Sequence, residues 1–136
     1  MKLLGICIAL TACGNTASPG VDADLAIDAG PPREVVMATQ PLQVTELVEG
    51  IMHGGPGDRA VIHLEAPFAA LDWNIHGHAN GGTQLVDEDL KQMIVDYVYV
   101  PSGLADWWLL LRNSGATNMD VKVTVELYGE MTWRWQ

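Results

Sequence analysis

Four side chains in the middle of the sequence carry the donor atoms that transition metals prefer. His76 and His78 are two residues apart, and Asp72 precedes them in the same run of alternating polarity. His63 belongs to an earlier run of this kind. Residues two apart on a strand project from one face, so these four residues could together form a copper or zinc site. Zinc needs three or four N, S or O ligands, and copper favours imidazole with methionine nearby. The alternative is that the histidines cap the following glycine-rich loop or face water.

Trp133 and Trp135 form a second group of candidate contact residues. They alternate with Thr132, Arg134 and Gln136, so both indoles would lie on one face of a strand. An exposed pair of this kind can stack on sugar rings, whereas a buried pair is the edge of a hydrophobic core. The sequence leaves open a carbohydrate-binding module and simple core packing.

The motifs and the charge argue against an enzyme and against a nucleic-acid-binding protein. The sequence has no nucleophile elbow, no His-Glu-x-x-His pair, no phosphate loop and no dinucleotide fingerprint. Asp87, Glu88 and Asp89 are consecutive carboxylates that a solvated loop explains without acid–base chemistry. The formal net charge of −10 opposes phosphate binding, which needs a basic surface. We expect no enzymatic activity and no cofactor other than the copper or zinc considered above.

The beginning of the sequence has the pattern of a bacterial lipoprotein signal. Lys2 is followed by an apolar run over residues 3–12, which is too short to span a bilayer. The run ends in Leu10-Thr11-Ala12-Cys13 and resembles the lipobox, in which a branched and two small residues precede an invariant cysteine. The resemblance implies a diacylglyceryl group on the Cys13 sulfur, cleavage before Cys13, and acylation of the new amino terminus, for example with palmitate. Gly14 favours the outer membrane over the inner. The alternative is an ordinary secretory signal.

The sequence divides into three parts on this interpretation. Residues 1–12 are the signal peptide, residues 13–33 are the lipidated cysteine with a flexible acidic tether, and residues 34–136 are one folded domain. The tether is small, polar and proline-bearing, which is typical of a disordered linker. Its aspartates, Asp22, Asp24 and Asp28, lack the glycine bend and closing glutamate of a calcium loop. A solvated tether is therefore favoured over a calcium site.

The domain is predicted to be all-β, because its dominant hydrophobic period is two. In residues 119–128 the apolar side chains occupy every second position. Residues 106–112 are apolar on both faces, as in a central strand, and the adjacent Trp107 and Trp108 must lie on opposite faces. Further strands are predicted at residues 59–66, 71–78, 92–100 and 131–136, with weaker ones at 34–39 and 42–47, a hairpin-like turn at 113–118 and a helical turn at 86–92. An antiparallel β-sandwich of about seven to eight strands follows.

The order of these segments resembles one known domain type. The strand Leu71-Asp72-Trp73-Asn74-Ile75-His76 is followed by a polar loop, a Val- and Tyr-rich strand, Trp107-Trp108-Leu109-Leu110-Leu111-Arg112-Asn113 and a valine-rich strand. This order of segments, over residues 59–128, is similar to that of the GOLD-type β-sandwich of a family of cargo proteins, although the paired cysteines of that family are absent. The resemblance implies a domain that binds proteins or lipids and is not catalytic.

Taken together, the sequence predicts a membrane-anchored bacterial lipoprotein whose sandwich is a binding or envelope-surface module. Its expected partners are the membrane, through lipid on Cys13, and a protein of the cell envelope. A periplasmic copper or zinc protein that uses His63, His76, His78 and Asp72 is the first alternative. A carbohydrate-binding module that uses Trp133 and Trp135 is the second.

Overall fold

The computed structural model describes residues 30–79 and 82–136, which form nine β-strands. Cys13, the signal peptide and the tether as far as residue 29 lie outside the described residues. The strands are β1 Glu34–Leu42, β2 Leu47–Gly54, β3 Arg59–Glu65, β4 Leu71–Ala79, β5 Gly82–Gln92, β6 Ile94–Tyr99, β7 Ala105–Asn113, β8 Met119–Tyr128 and β9 Thr132–Trp135. No helix in this part of the chain is long and apolar enough to cross a membrane.

The strands form two sheets whose neighbouring strands are all antiparallel. The four-stranded sheet has the order β1-β8-β3-β6, and the five-stranded sheet has the order β5-β4-β7-β2-β9. Side chains from the two sheets meet in one hydrophobic core. The predicted antiparallel β-sandwich is confirmed, with one strand more than the upper end of the expected number.

Alternation of side chains between core and surface accounts for the clearest strands. Along β8 the residues Met119, Val121, Val123, Val125 and Leu127 are buried, as predicted. In β7, between β4 and β2, Leu109 and Leu111 are fully buried while Trp108 and Leu110 on the other face are half-buried. The position of β7 between β4 and β2 confirms residues 106–112 as a central strand.

Several local predictions differ from the structure. The helical turn expected at residues 86–92 is wrong, because these residues belong to the edge strand β5, which pairs with β4. Residues 42–47 contain only the last residue of β1, the first of β2 and the turn between them. The segment 113–118 is not a hairpin, since it carries the chain from one sheet to the other. The predicted strand at 92–100 corresponds to β6, and Gln92 is the last residue of β5.

Candidate functional site

The outer face of the five-stranded sheet carries a compact group of aromatic and polar side chains. His76 and His78 project from β4 on this face, and Trp108 projects beside them from β7, where it is the cross-strand neighbour of His76. Glu49 lies on the same face of β2, and Gln136 follows β9. We refer to these five residues, together with Asn74, as the histidine–tryptophan face.

The three rings of this face are in mutual contact. The His78 ring stands edge-on to Trp108 with their centroids 4.5 Å apart, and it is edge-on to His76 at 5.1 Å. The His76 ring is nearly parallel to Trp108, at 15° and 5.9 Å. The Trp108 indole Nε1 donates a hydrogen bond to Gln136 Oε1 at 3.1 Å. Each ring is therefore fixed by its neighbours, and His78 is the exposed member.

His76 is buried although it lies on the outer face. Its exposed fraction is 6%, because the neighbouring rings and side chains cover it. Its Nδ1 lies 2.8 Å from Asn74 Oδ1, and its Nε2 lies 3.6 Å from Glu49 Oε1. Burial lowers the pKa of His76, an effect that Glu49 opposes and His78 reinforces. The ring therefore favours the neutral form more than a free histidine does.

An ion-pair group borders the face. His53 Nδ1 lies 2.7 Å from Asp106 Oδ1, and Arg134 Nη2 lies 2.9 Å from Asp106 Oδ2. The hydrogen bonds from Arg134 and then from His53 lower the pKa of Asp106. These residues come from β2, β7 and β9, so the group joins three adjacent strands of the sheet.

The structure does not bring the four residues of the predicted metal site together. His76 and His78 are adjacent, but His63 lies on β3 in the other sheet, where Asp96 and Glu65 bind its ring nitrogens at 2.6 and 3.2 Å. Asp72 lies at the opposite end of β4, where its Oδ1 accepts hydrogen bonds from Lys91 N and Ser114 Oγ. Within residues 30–79 and 82–136, no group of three or more His, Cys, Asp or Glu could hold a metal ion.

Trp133 and Trp135 share a face, as the sequence predicts, but that face is the inner one. They are opposite Met52 and Gly50 of β2, and the Trp133 indole occupies the space over Gly50. The two rings are 5.1 Å apart at 89° and pack half-buried against the core. A flat sugar-stacking surface needs parallel exposed rings, so their geometry fits the alternative of core-edge packing.

Sequence reasoning missed the partners that complete the histidine–tryptophan face. Trp108 lies 32 residues after His76 and Glu49 lies 27 residues before it, and only the strand order β4-β7-β2 places all three side by side. The available signal was the Trp107–Trp108 pair, which requires one indole to lie on the outer face. The side chains of the histidine–tryptophan face provide aromatic stacking surfaces together with hydrogen-bond donors and acceptors. This combination suits recognition of another molecule.

No known protein family and no curated protein matches this sequence. Several solved structures resemble the fold, including the following two. The mitogen derived from Yersinia pseudotuberculosis, YPM, has a TM-score of 0.53 and 13% identity, over 70% of this chain and 86% of that one. PliG of Aeromonas hydrophila, a periplasmic inhibitor of g-type lysozyme, has a TM-score of 0.51 and 6% identity, over 72% and 88% of the two chains. At sequence identities this low, the resemblance to these two structures concerns the fold alone.

Proposed function

We propose that this protein is a lipid-anchored component of the bacterial envelope, and that its sandwich is a non-catalytic module that binds another protein. The anchor is inferred from Leu10-Thr11-Ala12-Cys13 and the apolar run before it. Lipid on both the Cys13 sulfur and the amino terminus would hold the protein stably, since stable anchoring needs more than one acyl chain. Gly14 supports sorting to the outer membrane.

The histidine–tryptophan face is the observation that carries the binding function. Trp108 is half-buried in the middle of the sheet, and its ring is held by His76, His78 and Gln136. In protein–protein interfaces, the residues that contribute most of the binding energy are often tryptophans with polar side chains around them. A preorganised ring of this kind loses little conformational entropy on binding.

The fold comparisons support the same proposal. A sandwich of this kind is the scaffold of a lysozyme inhibitor, whose partner is a protein, and of a mitogen. The resemblance of residues 59–128 to the GOLD-type sandwich also suggests a binding domain. The periplasmic location of PliG agrees with an envelope location for this chain.

The anchor is tested by replacing the acylated thiol. We expect Cys13→Ser to move the protein from the detergent phase to the aqueous phase in a Triton X-114 partition of cell envelopes. Cys7→Ser is the matched control, because Cys7 lies within the segment that is removed and carries no lipid on this proposal. Unchanged partitioning of the Cys13→Ser variant would contradict the lipoprotein assignment.

The contact surface is tested by photo-crosslinking in intact envelopes. A photoreactive amino acid at position 78 should give a discrete crosslinked protein band, and Trp108→Ala should weaken that band about tenfold or more. The same amino acid at position 120, an exposed site on the four-stranded sheet, is the control. Equal bands from both positions, or no band from position 78, would refute this surface as the contact site.

A further inference from the structure

A second candidate site lies at the side of the sandwich, between the edge strands β5 and β6. A cleft of about 250 Å³ opens there. Four carboxylates line it, together with two aromatic rings and three other residues, namely Asp87, Glu88, Asp89, Asp96, Trp73, Tyr97, Gln92, Ile94 and Val95. The cleft contains no basic side chain, so its lining has one sign of charge.

Three of the four carboxylates are not neutralised by the rest of the described chain. Asp96 pairs with His63, whereas Asp87, Glu88 and Asp89 form no ion pair within residues 30–79 and 82–136. Asp87 and Asp89 accept hydrogen bonds from the backbone N–H of the next residue, at 2.9 and 3.0 Å. Concentrated carboxylates beside low-dielectric aromatic walls attract cations strongly.

An unpartnered donor lies against the same cleft. Trp73 lines the cleft, is 95% buried, and has an indole Nε1 with no hydrogen-bond partner in the described structure. Leaving a buried donor unsatisfied costs free energy, so an occupant that supplies an acceptor would be favoured. The Tyr97 ring lies 5.1 Å from the Trp73 ring, and the Tyr97 hydroxyl bonds to Asp87. The cleft therefore has two aromatic rings in its wall beside the carboxylates.

Exposed apolar side chains are frequent on the two strands that border the cleft and at the residue between them, and one of these side chains, Ile94, lines the cleft itself. Each of them has 40% or more of its surface exposed, and they are Leu85, Val86, Leu90, Met93, Ile94 and Val98. A charged cleft with an apolar rim is better suited to binding a macromolecule than to binding a free inorganic ion. The described chain also has no group of three His, Cys, Asp or Glu that could hold a metal ion, so a divalent cation is not the occupant that the cleft favours.

We propose that this cleft receives a lysine or arginine side chain from a basic segment of a protein partner. The charged group lies between Asp87 and Asp89 and beside the Tyr97 ring. A shift of the buried Trp73 indole on binding lets its N–H donate to a carbonyl of the partner. The rim residues contact apolar side chains of the same segment. This inference rests on the proposed protein-binding function and adds a second contact surface with a defined partner chemistry.

The test uses the full lipidated chain in a non-ionic detergent and a pair of capped peptides. One peptide repeats lysine and glycine, and the other carries Nε-acetyl-lysine in place of each lysine. Calorimetry should detect the lysine peptide and not the acetylated one. In the double variant Asp87→Asn, Asp89→Asn the affinity should fall about tenfold, as expected for the loss of two ionic contacts. The Trp73 indole N–H resonance should shift with the lysine peptide alone.

The matched control removes the same charge elsewhere. Glu34→Gln with Asp120→Asn neutralises two exposed carboxylates of the four-stranded sheet and should change the affinity less than twofold. Equal losses in the two double variants, or equal binding of the acetylated peptide, would overturn the proposal. Crosslinking at position 78 in the Asp87→Asn, Asp89→Asn background separates the two proposals, because it reports on the histidine–tryptophan face whether or not the cleft binds cations.

Discussion

At the residue scale, His76 combines two properties that are rarely found together on a solvent-facing sheet. It is 94% buried, and both ring nitrogens face oxygen atoms, of Asn74 and Glu49. Burial is nevertheless the larger influence and lowers the pKa of His76, so just below its ordinary pKa the ring is neutral more often in the folded state than in the unfolded chain. The protonation of this one ring is therefore coupled to folding.

We predict that His76 destabilises the fold at acid pH. A histidine with a lowered pKa binds fewer protons in the folded state, so its stabilising contribution is complete above the unfolded pKa of about 6.5 and is lost as the pH falls below it. In urea unfolding between pH 8 and pH 5.5, the contribution of His76 to stability should decrease, so the stability of the wild type should fall relative to that of His76→Gln as the pH is lowered. His63 has a raised pKa through Asp96 and Glu65 and acts in the opposite direction, so the comparison between variants isolates His76.

Direct titration gives an independent check on His76. The imidazole carbon-bound protons should titrate with a midpoint below 6.5, and Glu49→Gln should lower that midpoint further, since Glu49 opposes the effect of burial. A midpoint at or above 6.5 would show that the carboxylate and not burial dominates the environment of the ring. An upward shift in Glu49→Gln would contradict the opposing effect of Glu49.

A second prediction concerns Asp106. Its carboxylate accepts hydrogen bonds from Arg134 and His53, and Arg134 makes the larger contribution to its lowered pKa. NMR titration of the side-chain carboxyl carbon should therefore show a rise in the pKa of Asp106 in Arg134→Gln and a smaller rise in His53→Gln. The reverse order would contradict the assignment of the stronger partner.

The sequence predicts the row of β4 side chains but not their environment. Residues two apart on a strand share a face by geometry, so His76 and His78 were placed correctly relative to each other. Whether His63 joins them depends on which sheet β3 enters, and periodicity along one strand contains no information about sheet membership. Burial of His76 likewise depends on Trp108, which lies 32 residues further along the chain on the neighbouring strand β7.

At the element scale, the short strand β9 is positioned by one close contact, between the Trp133 side chain and the backbone of β2. The Trp133 indole occupies the space over Gly50 of β2, so a Cβ at Gly50 would overlap the ring. Gly50 is buried and pairs with Leu109 on one side and Trp135 on the other. The glycine is required here by the contact with an indole and not by a backbone conformation.

We predict that Gly50→Ala destabilises the protein by about 1–3 kcal/mol, the usual cost of overpacking. Gly103→Ala is the control, because nothing lies within 4 Å of its added Cβ, and it should change the free energy of unfolding by less than about 0.5 kcal/mol. Trp133→Leu in the Gly50→Ala background should recover part of the loss if the indole is the cause. Equal unfolding curves for Gly50→Ala and Gly103→Ala would refute the contact.

Strands with strict alternation are the elements that sequence predicts well. β8 and β3 each place one apolar set on the core, and both begin within a residue of the expected position. β2 was missed because its core-facing positions include Gly50 and Gly54, which carry no hydrophobic signal. β5 was assigned to a helical turn because its consecutive carboxylates suit a helix start, whereas pairing with β4, which includes two register shifts, makes it a strand.

At the scale of the whole molecule, the two sheets are joined at one end by a buried asparagine. Asn113 ends β7 in the five-stranded sheet and is fully buried. Its Nδ2 donates to Leu42 O at the end of β1, in the other sheet, and to Thr117 O, while its Oδ1 accepts from Gly115 N. The side chain thus uses three hydrogen bonds to connect the two layers and the segment that passes between them.

We predict that Asn113→Leu lowers the free energy of unfolding by about 2–4 kcal/mol, because it leaves buried carbonyl and N–H groups without partners while keeping the volume of the side chain. Asn118→Leu is the matched control, since Asn118 is exposed and accepts one hydrogen bond, from Val44 N at 3.1 Å, and should cost about 1 kcal/mol. Urea denaturation measures both variants. If Asn113 joins the layers, the loss is larger at position 113 and the transition stays cooperative. A loss no larger than that of Asn118→Leu would mean that the apolar core alone holds the two sheets together.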